Sequence, residues 1–218
     1  MSIVEQEFSI SRTYTTFGFS VNDLDDLLDQ FSLPLRNHSR RVAVCSSIMA
    51  DCINEYTYPY RASIDTGLAV VAHLGGTCHD IGKLLLPTLM ITEAEYKQHP
   101  LIGMKFLEEY KRLLFNSEAQ TQMVLDVVCY HHEQPDGGGF PEGTKRKDIP
   151  IVAGICALAD WLDHHLYTKQ ESCAYICDIF NDVKMKAGNI FYESAVMCFE
   201  CAWPQIKERY AKWNRFAT

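Results

Sequence analysis

Apolar residues in this chain recur with a helical period, and alternating strand-like runs are weak. Between residues 35 and 55, Val42, Cys45, Met49 and Cys52 follow one another at spacings of three and four, so they share one face of a helix. His38 lies four residues before Val42 and falls on that same face. A shorter helix is predicted over VNDLDDLLDQF, where Ser20 can cap an acidic first turn. Further helices are predicted over 62–75, 99–111, 118–132, 151–167, about 171–187 and about 191–216. Gly75-Gly76 should perturb the end of the third helix just before His79, and Pro204 should kink or divide the last. Residues 133–150 hold four glycines and three prolines and read as a loop. The pattern predicts an all-α domain of roughly seven to nine helices over 20–218. An N-terminal arm, 1–19, matches no element.

Composition narrows the class. Hydrophobic residues make up 47% of the 218-residue chain and charged residues 22%, enough for a sizeable core without disulfide support. No apolar run approaches the roughly 20 residues that span a bilayer. The N-terminus lacks the basic and apolar blocks of a signal peptide, so a cytoplasmic protein is expected. The nine cysteines are odd in number and irregularly spaced. They read mainly as small buried residues of a reducing compartment, and Cys198-x-x-Cys201 has neither a second pair nor a nearby histidine. A net charge of −8 argues against an extended nucleic-acid surface, yet a small phosphate ester could still bind through a few local cations.

The candidate chemistry lies in histidines and carboxylates. His79-Asp80 sits in HDIGK, and His131-His132 ends a helix and opens the loop HHEQPDGGGFP. Asp160 interrupts the apolar helix ICALADWL, where a buried carboxylate needs a cation or several donors. Singly, each signal is weak, since a histidine on an apolar face is more often a hydrogen-bonded core residue. Together His38, His79, Asp80, His99, His131, His132 and Asp160 lie on helices or at their ends, from which ligands can converge. Five imidazoles and two carboxylates suit iron, manganese or another first-row divalent ion better than a thiolate-rich zinc site. Two ions about 3.5–4 Å apart can share a hydroxide and clamp a phosphate. Asp80 has two oxygens with which to bridge them, and Lys83 could meet the growing phosphate charge.

These motifs resemble the HD superfamily of metal-dependent phosphohydrolases, and more narrowly its HD-GYP branch, whose studied members hydrolyse cyclic di-GMP. The resemblance runs from about Leu35 to Leu166 and preserves the order of the motifs. His38 with Arg40-Arg41-Val42-Ala43 is similar to the first ligand segment, followed by HDIGK, then QHPLIGMKFL with His99. The paired histidines with the signature loop come next, and ALADWLD supplies the last aspartate. The resemblance implies an all-α fold and two divalent ions, iron or manganese first, with nickel, cobalt or zinc as alternatives. His38, His79, Asp80 and Asp160 would hold one ion, and Asp80, His99, His131 and His132 the other. Lys83 would bind the scissile phosphate and Asp163 would orient a ligand. The implied substrate is a cyclic dinucleotide, cyclic di-GMP first.

Three departures bear on that substrate. The signature tyrosine is Phe140, which keeps the ring and loses the hydroxyl. Pro34 stands where some members place a glutamate that helps hold a third metal, so two ions are expected. The Arg-Pro-Tyr that grips nucleotide phosphates is replaced within DHHLYTKQES, leaving Lys169 as a point charge. Other readings therefore stay open: a different nucleotide or phosphomonoester, a di-iron oxygenase, or a binding module retaining its metals. Lys145-Arg146-Lys147 reads as a solvated turn or a cationic rim. Glu133 and Asp136 read equally as groups orienting a ligand or capping the loop. His164-His165 read as surface or substrate-facing, His73 as structural, and Cys78 and Cys129 as packing residues. Gly137–Gly139 lacks the preceding strand of a nucleotide-binding fingerprint. Phe191, Phe199, Trp203 and Tyr210 read mostly as core and partly as a dimer face. A regulatory protein partner is the other interaction the sequence admits.

Overall fold

The apolar stretch around Asp160 becomes the helix on which the others converge. The computed structural model describes residues 24–53, 67–86, 91–114, 117–145, 149–167 and 173–215. Among them are nine α-helices: α1 (Leu24–Asp29), α2 (Leu33–Asp51), α3 (Leu68–Cys78), α4 (Glu93–Tyr96), α5 (His99–Leu114), α6 (Glu118–Tyr130), α7 (Ile151–Leu166), α8 (Cys173–Met185) and α9 (Glu193–Arg215). A 3-10 turn, Ile81–Leu85, follows α3. No strand occurs among the described residues, so the fold is all-α as the periodicity predicts. The N-terminal arm, Ser20, Arg146, Lys147 and Lys169 lie outside the described residues.

Helix α7 buries most of its length, from Val152 through Ile155, Leu158 and Leu162 to Leu166. It packs against α2, α3, α6 and α9, and α2 packs in turn on α3 and α9. A helix enclosed on so many sides can carry charge only where charge is answered locally, which places Asp160 and Asp163 under strong constraint. Helix α8 joins this core through Ile179, Val183 and the ring of Phe180, which meets Phe199 and Trp203 of α9.

Three expectations need correction. Gly75-Gly76 does not disturb α3, which runs through both to Cys78. A Cβ on Gly75 would lie 2.8 Å from Val127 of α6, and one on Gly76 only 2.7 Å from the Ala43 backbone of α2. The pair lets α3 approach both neighbours, and this packing outweighs a helix-propensity cost of about 1 kcal/mol per glycine. Pro204 does not divide α9, which continues from Glu193 to Arg215. Its ring is exposed, so water can reach the carbonyl deprived of its helical partner. Phe191, Phe199, Trp203 and Tyr210 are all buried within this chain, as the core reading expects, and only the partial dimer face is corrected.

Helix α4 and the 3-10 turn were not foreseen. For α4 the signal was present: Thr92 and Glu95 form a reciprocal capping box, the Thr-x-x-Glu pattern that starts helices.

Replacing Gly76 with alanine tests the close approach of α2 and α3. The helix-propensity gain is about 1 kcal/mol, and forcing a methyl group against backbone costs typically 1–3 kcal/mol or more. The Gly76→Ala protein is expected to lose up to about 2 kcal/mol, read as a lower urea midpoint at unchanged slope.

Candidate metal centre

The change from α-helix to 3-10 turn places the central pair. His79 keeps helical backbone angles (φ −51°, ψ −38°) as the cap of α3, while Asp80 sits at φ −98°, ψ 11°, the bridge region common among active-site residues. The turn then docks against the start of α5. A Cβ on Gly82 would lie 2.0 Å from the carbonyl oxygen of His99, so only glycine permits this contact, and it fixes His99 relative to Asp80.

All seven ligand candidates come together at this point. His38 arrives from α2, His79-Asp80 from the end of α3 and His99 from the first residue of α5. His131 and His132 follow the end of α6, and Asp160 projects from α7. Asp80, 1% exposed, divides the cluster between its two oxygens. Oδ1 lies 3.3 Å from His99 Nε2 and 3.8 Å from His131 Nε2. Oδ2 lies 3.4 Å from His79 Nε2, 3.8 Å from His38 Nε2 and 2.6 Å from Lys83 Nζ. Asp160 Oδ1 lies 3.0 Å from His38 Nε2 and 3.7 Å from His79 Nε2.

The imidazoles are aimed by the backbone that carries them. The Nδ1 atoms of His79, His99 and His131 lie 2.8, 2.8 and 2.9 Å from the carbonyl oxygens of Gly76, Tyr96 and Val128, each three residues back. A carbonyl only accepts, so each Nδ1 donates and each Nε2 faces the centre. His38 uses a carboxylate instead, with Nδ1 2.7 Å from Asp163 Oδ2. Asp163 also accepts from Arg41 Nε and Nη2 at 2.7 and 2.9 Å and from the Tyr210 hydroxyl at 2.9 Å.

Five of the inward atoms have no hydrogen-bond partners of their own. His38 Nε2, His79 Nε2, His132 Nε2, Asp80 Oδ1 and Asp160 Oδ1 are all buried and unpaired among the described residues. Buried polar atoms are seldom left so, and their convergence fits them to a cation. The donor atoms of Asp80, His99, His131 and His132 lie within 4.8 Å of one another, as do those of His38, His79 and Asp80. A third group joins His38 and Asp160 to His164.

Charge is distributed unevenly. Burial lowers the His79 pKa, but Asp80 and Asp160 reverse this and lift it to about 10. Burial pushes His132 down to about 3 and, with the neighbouring imidazoles, holds His131 well below its ordinary value. Burial works against ionised Asp80 and Asp160, yet the surrounding imidazoles keep both well below the usual carboxylate range, with Lys83 assisting at Asp80. Lys83 is itself desolvated, and Asp80 overcomes that effect to raise its pKa, so it remains a cation.

The signature loop forms one wall. Phe140 stacks on His132 with ring centroids 4.4 Å apart. Glu133 and Asp136 serve the loop itself: Glu133 accepts backbone N–H bonds from Glu142, Gly143 and Thr144 at 2.7, 3.1 and 2.9 Å, and Asp136 accepts one from Gly138 at 2.7 Å. Beside the centre lies an open cleft of about 730 Å³, bordered by Pro34, Asn37, Asp80, Lys83, His164 and Tyr167. A smaller cavity of about 230 Å³ on the Phe140 side is bordered by His132, Asp160, Trp161 and His164. Cys78 and Cys129 lie buried, with burial pushing both thiols up to about 12, and His73 is exposed. Sequence reasoning missed Arg41 and Tyr210 as supports of Asp163. Arg41 stood within a quoted motif, but nothing local marks Tyr210, 47 residues from its partner.

Comparisons with known proteins agree with this architecture. A cyclic di-GMP phosphodiesterase of Pseudomonas aeruginosa is 26% identical over 153 residues, covering 63% of this chain and 36% of that protein. A cyclic di-GMP phosphodiesterase of Thermotoga maritima is 23% identical over 210 residues, covering 91% of this chain and 53% of its own length. The chain thus spans between a third and about half the length of these two relatives. Among solved structures, the HD domain of the L. monocytogenes phosphodiesterase PgpH in complex with cyclic-di-AMP is similar in fold. Its TM-score is 0.54 at 16% identity, covering 84% of this chain and 97% of that one. The HD domain family model matches residues 35–164, more than half of the chain and the span that holds all seven converging side chains, and the chain belongs to the HD domain family.

Proposed function

We propose that this protein is a metal-dependent phosphodiesterase that hydrolyses a cyclic dinucleotide, with cyclic di-GMP the first substrate to test. The observation that carries the reading is the convergence of seven histidine and aspartate side chains, five of which aim a buried, unpaired atom inward, beside an open cleft. The relatives named as cyclic di-GMP phosphodiesterases support the substrate class.

In this reading His38, His79, Asp160 and one Asp80 oxygen would hold one ion, and His99, His131, His132 and the other Asp80 oxygen would hold a second. Such divalent ions, iron or manganese by donor type, would supply Lewis acidity that makes water a nucleophile at neutral pH and offsets the charge of a phosphoryl group. Asp80 lies between the two sets of imidazoles and orients both. Lys83, held 2.6 Å from Asp80 Oδ2 at the edge of the cleft, binds a scissile phosphate oxygen and stabilises the charge that develops there. Asp163 fixes the tautomer and direction of His38, with Arg41 and Tyr210 fixing Asp163 in turn. Phe140 forms an apolar wall and has no hydroxyl with which to hold a phosphate.

Another phosphate ester is the second reading, and the structure supplies a reason for it. Arg41 borders the cleft, but Asp163 occupies its Nε and Nη2 and the Tyr167 ring lies 3.4 Å from its guanidinium carbon. It is therefore engaged and does not replace an arginine fork that grips nucleotide phosphates.

Anaerobically purified protein should be loaded with Fe²⁺ or Mn²⁺ and incubated with cyclic di-GMP, cyclic di-AMP and a phosphomonoester panel, with products separated by chromatography. Linear dinucleotide or mononucleotide from a cyclic dinucleotide is expected. Turnover of monoesters alone would replace the substrate class, and no turnover of any ester would remove the reading. Lys83→Met is expected to lower kcat by about 10²–10³-fold while metal content by elemental analysis stays unchanged. Asp163→Asn is expected to weaken metal retention about 10–100-fold, measured by chelator competition, because an amide can present its NH₂ rather than an acceptor to His38 Nδ1.

A further inference from the structure

His164 stands outside the seven-residue set, one helical turn beyond Asp160 on α7. From sequence it reads as a surface or substrate-facing residue, and its side chain is indeed 61% exposed. Its position is more specific than exposure implies. The ring lies over that of His38, with centroids 4.8 Å apart and planes inclined by 33°. Its Nε2 lies 3.3 Å from Asp160 Oδ1. The Nε2 atoms of His38 and His79 approach the same oxygen to 3.0 and 3.7 Å.

Three imidazole nitrogens thus crowd one carboxylate oxygen, yet that oxygen has no hydrogen-bond partner, and neither do His38 Nε2 and His79 Nε2. These nitrogens and the oxygen are close enough together to face one cation. The donor atoms of His38, Asp160 and His164 all lie within 4.8 Å of one another. A first-row ion with ligands at about 2.0–2.2 Å spans roughly 4.0–4.4 Å between opposite donors, so a small side-chain rotation brings His164 within ligand distance.

We infer that His164 is an eighth protein ligand, binding the ion held by His38 and Asp160 from the cleft side. This inference rests on the metal-dependent reading above. It makes the two metal positions unequal. One has five protein donors: the nitrogens of His38, His79 and His164 and an oxygen from each of Asp80 and Asp160. The other has four: the nitrogens of His99, His131 and His132 and the remaining Asp80 oxygen. His164 also differs from its neighbours in freedom. His38, His79, His99 and His131 each have Nδ1 held by an acceptor, whereas no bond to Nδ1 of His164 is found among the described residues. It borders both the larger cleft and the smaller cavity, so it is a ligand that can leave by rotating into open space.

The test uses the full chain loaded with Co²⁺, comparing the wild type with His164→Ala, His164→Gln and His165→Ala. His165 is the control because its Nδ1 lies 2.7 Å from the Trp161 carbonyl oxygen and its ring stacks on Trp161, directed away from the ligand atoms. Both His164 variants are expected to bind one of the two Co²⁺ ions at least about ten-fold less tightly in chelator competition. Their visible absorption should intensify as coordination number falls, and one hyperfine-shifted imidazole N–H proton signal should disappear. His165→Ala should match the wild type in all three. If the His164 variants keep wild-type affinity, absorption and N–H signals while two Co²⁺ bind, the inference fails and the metal-dependent reading survives. A higher KM with those signatures unchanged assigns His164 to substrate and also overturns it. Wild-type affinity in His164→Gln alone assigns the effect to packing, with the same consequence. A wild-type chain that binds no Co²⁺, Fe²⁺ or Mn²⁺ removes both.

Discussion

The centre of this protein depends on a carboxylate placed where a carboxylate is least welcome. Moving such a group out of water costs several kcal/mol even after relaxation, and Asp80 is 1% exposed. Imidazoles lie near its oxygens on two sides, and Lys83 adds a fixed cation at one of them. The Lys83 contact alone leaves Oδ1 unpaired. The arrangement is satisfied only by positive charge on both flanks, and that requirement explains why so much polarity converges on one spot in an apolar helical core.

The helices contribute direction as well as position. Three histidines use the carbonyl three residues back as their acceptor, so the same backbone geometry is repeated at the end of α3, the start of α5 and the end of α6. In each case the accepting carbonyl lies in the last turn of a helix, α3, α4 or α6, where main-chain carbonyls are left free to take a side-chain donor. His38 lies inside α2, where carbonyls are already engaged, and it takes Asp163 from another helix instead. Gly82 sets the spacing between two of these termini through direct contact with the His99 backbone, so the relative placement of Asp80 and His99 does not depend on side-chain packing.

Much of this was legible in the chain because residue type and spacing carry local information. The all-α class followed from periodicity, and the seven converging residues stood out as polar groups in apolar surroundings or beside loop signals. The limits were equally physical. Gly75-Gly76 looked like an interruption because propensity is a property of α3 alone, whereas the reason for two glycines lies on α2 and α6. Glu133 had two equal readings until the loop backbone showed where its oxygens point. His164 looked peripheral because its neighbour Asp163 is turned inward, and sequence adjacency does not reveal that Asp160, one turn away, brings its nitrogen back toward His38. Phe191, Phe199, Trp203 and Tyr210 offered an apolar pattern that could serve a core or an interface, and only three-dimensional packing decides between them.

The Tyr210 hydroxyl has a consequence for where the functional unit ends. The family match stops at residue 164, and every converging side chain lies within it. Yet Asp163 receives one of its four bonds from α9, nearly fifty residues later in the chain, and Cys45 beneath His38 packs against the same hydroxyl at 3.7 Å. The C-terminal helix is therefore part of the apparatus that aims His38. A chain shortened to the recognisable motif would keep all the side chains that face the centre and lose one of the struts that hold them in register.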